Sequence, residues 1–371
     1  LQGMIDQLAE QNPHGLPGEV WVAAGEYEPL EQLIPGTGYS ASFRMRDGIS
    51  VYGGFAGTED TKGERQRGTM PWDYTNKTIL QAAYYDPANL LWENNRWTLT
   101  SDSRHVVWFA PMPDEGADVA FAHVTTLDGV TIRGGYAQGG TGMAEGFVTD
   151  CGAGVYMDGA NAYLSGCTVT QNYATADGGG VYLRQGRVQG CLLSNNNADG
   201  AGGAVYVDNR GLVHRSMLAN NSARNGAAVY LANTDDTPAG EDDHPEYLVL
   251  STCVVANNTA TGNGAVYCSQ GGVLTQNTIV ANQCVTATDA TDPNASQTGG
   301  LYVDEYALAV NNVIWNNRMG IDPSSAANIP MYARNPSNAT VRFMYNAISG
   351  VNNAVWNDIL QQETLALSDD N

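Results

Sequence analysis

A chain of 371 residues, 43% hydrophobic and 15% charged, can bury a core but is too poor in charge for a long helical protein. Its 39 acidic residues against 17 basic ones give a net charge of -22, and Lys62 and Lys77 are the only lysines. Such a surface repels phosphate backbones and anionic lipid, which speaks against nucleic-acid binding and direct membrane insertion. No apolar run approaches the ~20 residues of a membrane helix.

In chain order, Leu1, Met4, Ile5 and Leu8 fall at i, i+3, i+4 and i+7, the spacing of one face of a short amphipathic helix. No signal peptide precedes it and residue 1 is Leu, so the chain reads as a mature or trimmed form. A helix there would cap an open sheet end that could otherwise recruit other chains. Short β-branched segments follow at 20–27 (VWVAAGEY), 45–57 (MRDGISVYGGFAG), 77–80 (KTIL), 105–110 (HVVWFA) and 127–135 (LDGVTIRGG). Each is long enough for a strand and too short for a helix.

From residue 152 the chain repeats. GAGVY, GGGVY, GGAVY, GAAVY, GNGAVY and GGLY end in Tyr156, Tyr182, Tyr206, Tyr230, Tyr267 and Tyr302, spaced by 26, 24, 24, 37 and 35 residues. The two long steps hold polar inserts near 233–246 and 285–298, and removing about a dozen residues from each restores the period. A second element (VTQN, LLSN, MLAN, VVAN, IVAN, VIWN) recurs in step. A period of roughly 24 with two or three short strands per turn is that of a parallel β-helix, an all-β solenoid. VRFMYNAISG at 341–350 reads as one more turn, so we expect a cap and lead-in over 1–17, the coil over 18–350 and a cap or tail over 351–371.

Equivalent positions of a solenoid stack about 4.8 Å apart. Alignment of the second element gives a small or polar column, Cys167, Cys191, Ser216, Cys253, Thr278 and Asn312, and an Asn column, Asn172, Asn196, Asn221, Asn258, Asn282 and Asn317. The first is expected as an inert buried column of thiols and hydroxyls. The second is expected as a ladder at a turn, because Asn tolerates left-handed backbone and bonds its neighbours. The six cysteines show no C-x-x-C and no zinc-like spacing with the five histidines.

These residues resemble a known family. VWVAAGEYEP, FRMRDGISVYGGFAGTE and LDGVTIRGG are similar to the opening of bacterial cell-surface proteins with pectin-lyase-like right-handed β-helices, and the GGAVY and apolar-x-x-N pairs resemble polymorphic outer-membrane protein repeats. The resemblance spans about 18–317 and implies a right-handed coil, export, and an extracellular or outer-membrane-surface location. Leu, Met or Val often replaces that repeat's Phe, and the chain contains no outer-membrane barrel.

Strand alternation points Val205 and Val207 inward and Tyr206 and Asp208 outward. All six tyrosines then form one external stripe, beside a second column of Asp158, Arg184, Asp208, Ala232, Ser269 and Asp304. Two readings of the stripe stand side by side: a self-stacked ladder, or a carbohydrate platform in which Tyr156, Tyr182, Tyr206 and Tyr230 contact ligand together with Asp158, Arg184 and Asp208. Asp158 and Asp208 approach the carboxyl spacing of a glycosidase, but Arg184 between them is expected to hold both ionised. Asp235, Asp236, Asp242 and Asp243 in the first insert could bind calcium, without the spacing of a calcium loop. No other cofactor and no catalytic residue is read. The expectation is a monomeric, non-enzymatic, adhesin-like module binding glycan or a host or cell-surface protein along its side. The alternative is a polysaccharide lyase or glycoside hydrolase with a lateral groove.

Overall fold

The structure is a computed structural model. It describes the chain apart from residues 12–16, 31, 35, 37, 87–90, 94–95, 99–102, 112–120, 140–142, 145–146, 233–247, 286–297, 321–326, 329–330, 334–341, 350–364 and 368–371.

Alternating apolar residues in short runs broken by Gly and Asn make strands that cannot bury a face alone, so each turn lays its strands on those of the turn before. Among the described residues three long sheets result, in a right-handed parallel β-helix, beside two two-stranded hairpins. The first contains the long strands Val155–Ser165, Val181–Gln189, Val205–His214, Val266–Thr275 and Leu301–Val310. In the turn between the third and fourth of these, the same strand is split into Val229–Ala232 and Leu248–Ser251 around the insert. The second sheet stacks Thr168–Thr170, Leu192–Ser194, Met217–Ala219, Val254–Ala256, Thr278–Val280 and Val313–Trp315, and the third is built from two- to five-residue strands such as Tyr173–Ala174. Pairing is parallel and in register through the repeats: Tyr156 faces Tyr182, then Tyr206, Tyr230, Tyr267 and Tyr302. The register is therefore the same on either side of each insert.

The core follows from alternation. Val205 and Val207 point inward with Val181, Leu183, Val229 and Leu231, all fully buried, and meet Leu193, Leu218 and Val255 of the second sheet. At the start, the helix Gln2–Gln11 buries Ile5 against the first turns. Its Gln2 amide donates to Arg44 O at 3.1 Å and accepts from Arg44 N at 2.9 Å, so one side chain serves strand-edge groups that another strand would otherwise pair.

Two sharp corners flank the second sheet, each with one residue in the left-handed region. At the far corner Gln171, Asn195, Asn220, Asn257, Ala281 and Asn316 take φ between 49° and 58°, and the Asn after each is buried. The Asn ladder forms as expected: Asn196 donates to Asn221 at 3.1 Å, Asn221 to Asn258 at 3.0 Å and Asn258 to Asn282 at 2.9 Å, Nδ2 to Oδ1. The near corner corrects one expectation. Its buried column runs Cys167, Cys191, Ser216, Cys253, Asn277, Asn312 and Asn346, not through Thr278. Thr278 lies one step on and faces outward between Val254 and Val313.

The 56–76 segment packs on the side of the early turns. Arg65 Nη1 bonds Gly53 O at 2.9 Å and Asp128 Oδ1 at 2.7 Å, and Tyr74 OH donates to the same Asp128 oxygen at 3.2 Å. Burial pushes the Tyr74 phenol up to about 12. Pro71 reaches the near corner, where a Cβ on Gly190 would stand 3.2 Å from Pro71 Cβ.

Candidate active site on the long-strand face

The tyrosine stripe is on the outer face, and its rings are closed to ligand. Trp108, Tyr156, Tyr182, Tyr206, Tyr230, Tyr267 and Tyr302 stack with centroids 4.4–5.5 Å apart and planes within 18°. Tyr156 and Tyr206 are 5% and 9% exposed, and Tyr182 and Tyr230 are half-buried with both ring faces occupied. Of the two readings of the stripe, the rings form the self-stacked ladder, and Leu33, Ile34, Tyr39 and Val148 cover its upper end.

Beyond the tyrosines on the same strands, Asp158, Arg184 and Asp208 come together. Register slips after Leu183 on both sides, so Arg184 occupies a bulge that aims its guanidinium between the two acids. Its Nη1 donates to Asp158 Oδ2 at 3.1 Å, and its Nε lies 3.6 Å from Asp208 Oδ2. Tyr182 OH donates to that same Asp208 oxygen at 3.2 Å. Side-chain exposure grades across the trio, 23% for Asp158, 41% for Arg184 and 5% for Asp208. Arg184 and Asp158 meet solvent while Asp208 is held from beneath.

At Asp158 burial raises the pKa, the Arg184 guanidinium opposes that rise, and Asp208 adds to it by repulsion. Burial, then Asp208, pushes the Tyr182 phenol up, so it keeps its proton as a donor. One half-buried acid with a raised pKa and one anchored acid, both beside a single guanidinium, lie within the ~9.5 Å upper limit for paired glycosidic carboxyls.

Two neighbours escaped the sequence reading. Asp177 lies in the loop before its strand, accepts from Ala201 N at 2.7 Å, and has its pKa raised by burial. His105 closes the stack against Trp108 and Tyr156 at 5.2 and 5.8 Å, is fully buried, and bonds the carbonyls of Gly152 and Val148. Burial drives its pKa down to about 4. The Asp before GGG at 178–180 was a possible signal for the first. None marked the second, which precedes the repeats.

The calcium-site candidates Asp235, Asp236, Asp242 and Asp243 lie outside the described residues, as does most of the second insert. Among the described residues no three His, Cys, Asp or Glu side chains gather as a metal site, and no helix is long and apolar enough to cross a membrane.

No protein-family model matches the chain, and no curated protein matches it. Among solved structures it is similar to the A-module of a mannuronan C-5 epimerase from Azotobacter vinelandii, with 15% identity, a TM-score of 0.45, and coverage of 99% of this chain and 93% of that one. The expectation of a non-enzymatic adhesin-like module is corrected. The tyrosine stripe that it drew on is a packed ladder.

Proposed function

We propose that the chain is a carbohydrate-active enzyme acting on a polysaccharide laid across the outer face of its long strands. The observation that carries this reading is the pairing of Asp158 and Asp208 across Arg184, with Asp158 shifted towards its protonated form. Asp158 serves as the acid that protonates a glycosidic oxygen. Asp208, fixed by Tyr182 and Arg184, faces the developing positive charge or activates water. A lyase needs one base and a free cation for a uronate. Here the cation is already shared by two acids, which favours hydrolysis. The resemblance of the repeats to exported surface proteins supports work outside the cytoplasm.

The test is incubation with a panel of neutral and acidic polysaccharides, following new reducing ends and unsaturated products separately. Reducing ends without unsaturation are expected, and Asp158→Asn and Asp208→Asn should each lower the rate by ~100-fold or more. No turnover across the panel, or full activity in both variants, would sink the reading.

A further inference from the structure

The acidity of this chain is distributed unevenly around the coil. Over six successive turns the near corner and the two faces that meet there, residues 162–170, 186–194, 211–219, 248–256, 272–280 and 307–315, contain no Asp or Glu, while the turn before them carries Asp128, which is paired with Arg65. With 39 acidic residues in 371, composition alone would place about five or six there. In the second and third of the long-strand turns this side carries cations instead. Arg187 is exposed, its guanidinium 5.3 Å from the Tyr163 ring centre, and Arg215 is exposed at the corner with φ 48°. Among the described residues neither has a carboxylate partner.

Beside them a row of hydrogen-bonding groups runs along the axis, one per turn. Ser165 pairs in register with Gln189, Gln189 with His214, and His214 with Ser251. His214 Nδ1 lies 2.7 Å from Ser251 Oγ, so the buried Ser251 ends the row and fixes the imidazole above it. Hydroxyl, amide and imidazole at a step of about 4.8 Å can satisfy a row of hydroxyls. Two unpaired guanidiniums and a stacked aromatic beside them add preference for a ring bearing carboxylate or sulfate. A glycan with an anion on its sugar rings can set those anions against this side, where the six turns themselves place no carboxylate.

We propose that this carboxylate-free side, centred on Arg187, Arg215 and the row from Ser165 to Ser251, is a docking surface for an acidic polysaccharide. It is distinct from the Asp158–Arg184–Asp208 cluster and does not depend on that cluster being catalytic. The full chain carrying Asp158→Asn, which keeps this side intact, is titrated with polygalacturonate, chondroitin sulfate, neutral galactan and poly-glutamate. Binding to at least one of the two acidic glycans, weakening with added salt, is expected. The Arg187→Ala/Arg215→Ala double variant should bind that glycan at least tenfold more weakly with an unchanged melting temperature, and Gln189→Ala should weaken it severalfold. Unaltered affinity in the double variant overturns the proposal. So does failure to bind either acidic glycan, or equal affinity for poly-glutamate, which would make the occupant an acidic peptide. Turnover by the wild-type chain is scored separately, so either reading can fail alone.

Discussion

The two corners of the second sheet make the same bend with the same left-handed residue, yet they are stabilised differently. The far corner uses Asn at every rung from Asn172 to Asn317. Each amide joins its neighbours and also closes a carbonyl of the turn before: Asn221 Nδ2 reaches Leu193 O, Asn258 Oδ1 and Ala219 O of its own turn, and Asn221 N donates to the same Oδ1. The near corner begins with thiols. Cys191 Sγ lies 3.2 Å from Gln189 O and 3.5 Å from Leu164 O, weak contacts, and amides take over only at Asn277. Geometry asks for a small buried residue after the bend. A continuous ladder is an additional choice, and it was made at one corner throughout and at the other only late.

The contrast can be broken most directly by removing one rung from each corner. Asn221→Ala strands the backbone and side-chain donors of Asn196 and a carbonyl of the turn before, and should cost about 3–4 kcal/mol. Cys191→Ala should cost about 1–2 kcal/mol. Denaturant unfolding of the two variants measures both, and equal losses would mean the amide ladder adds nothing beyond filling space.

Neither ladder titrates in acid, so a large acid sensitivity must arise elsewhere, and His105 is the nearest source. Its pKa falls from 6.5 to about 4 on folding, so between those values the unfolded chain binds the extra proton. Stability should therefore fall by about 3 kcal/mol from pH 8 to pH 4 through this group. His105→Gln should flatten that slope, and an unchanged slope would remove His105 as the cause.

Alkali separates the corners. Burial raises the Cys167 thiol well above 9 and the Cys253 thiol to about 12, so above pH 9 the unfolded thiols ionise while the folded ones do not. Stability present below pH 9 is lost as pH rises, by about 2–3 kcal/mol at pH 10 for the pair. Cys167→Ser/Cys253→Ser should lose that much less on raising the pH. A double variant with the parent's alkaline loss would place the sensitivity outside the near corner.

The smallest effect lies within the near corner. Glycine fills the bend at Gly166 and Gly190, where Pro71 comes close, and gives way to Arg215, Thr252, Gln276 and Asn311 beyond it. Gly190→Ala, forced into φ +59° against Pro71, should cost about 1–2 kcal/mol, while Thr252→Gly should change stability by under about 1 kcal/mol. Thermal melts compare them.

What could be read in advance follows the same division. The Tyr stripe and far Asn column were legible because one residue type recurs at one position in every turn. The near column slipped by one residue at Thr278, since a column that changes from Cys to Ser to Asn leaves only size to align on, and Asn277 hides among turn residues. The Asp158–Arg184–Asp208 trio was visible as a column, but the raised Asp158 pKa was not, because burial is a property of the assembled face. Arg65 with Asp128, 63 residues apart, and His105 with the tyrosine stack come from turns without a repeat, and no spacing announces them.

The in-register pairing has a mechanical meaning as well. Strand hydrogen bonds run along the coil axis, so a pull on the chain end loads the bonds of only the outermost turn. Such a rod should peel like thread from a spool, each rupture releasing one turn of the kind that separates Asn172 from Asn196, 24 residues. The turns carrying the inserts would release longer lengths, such as the 37 residues between Asn221 and Asn258, so a force trace would map the inserts directly.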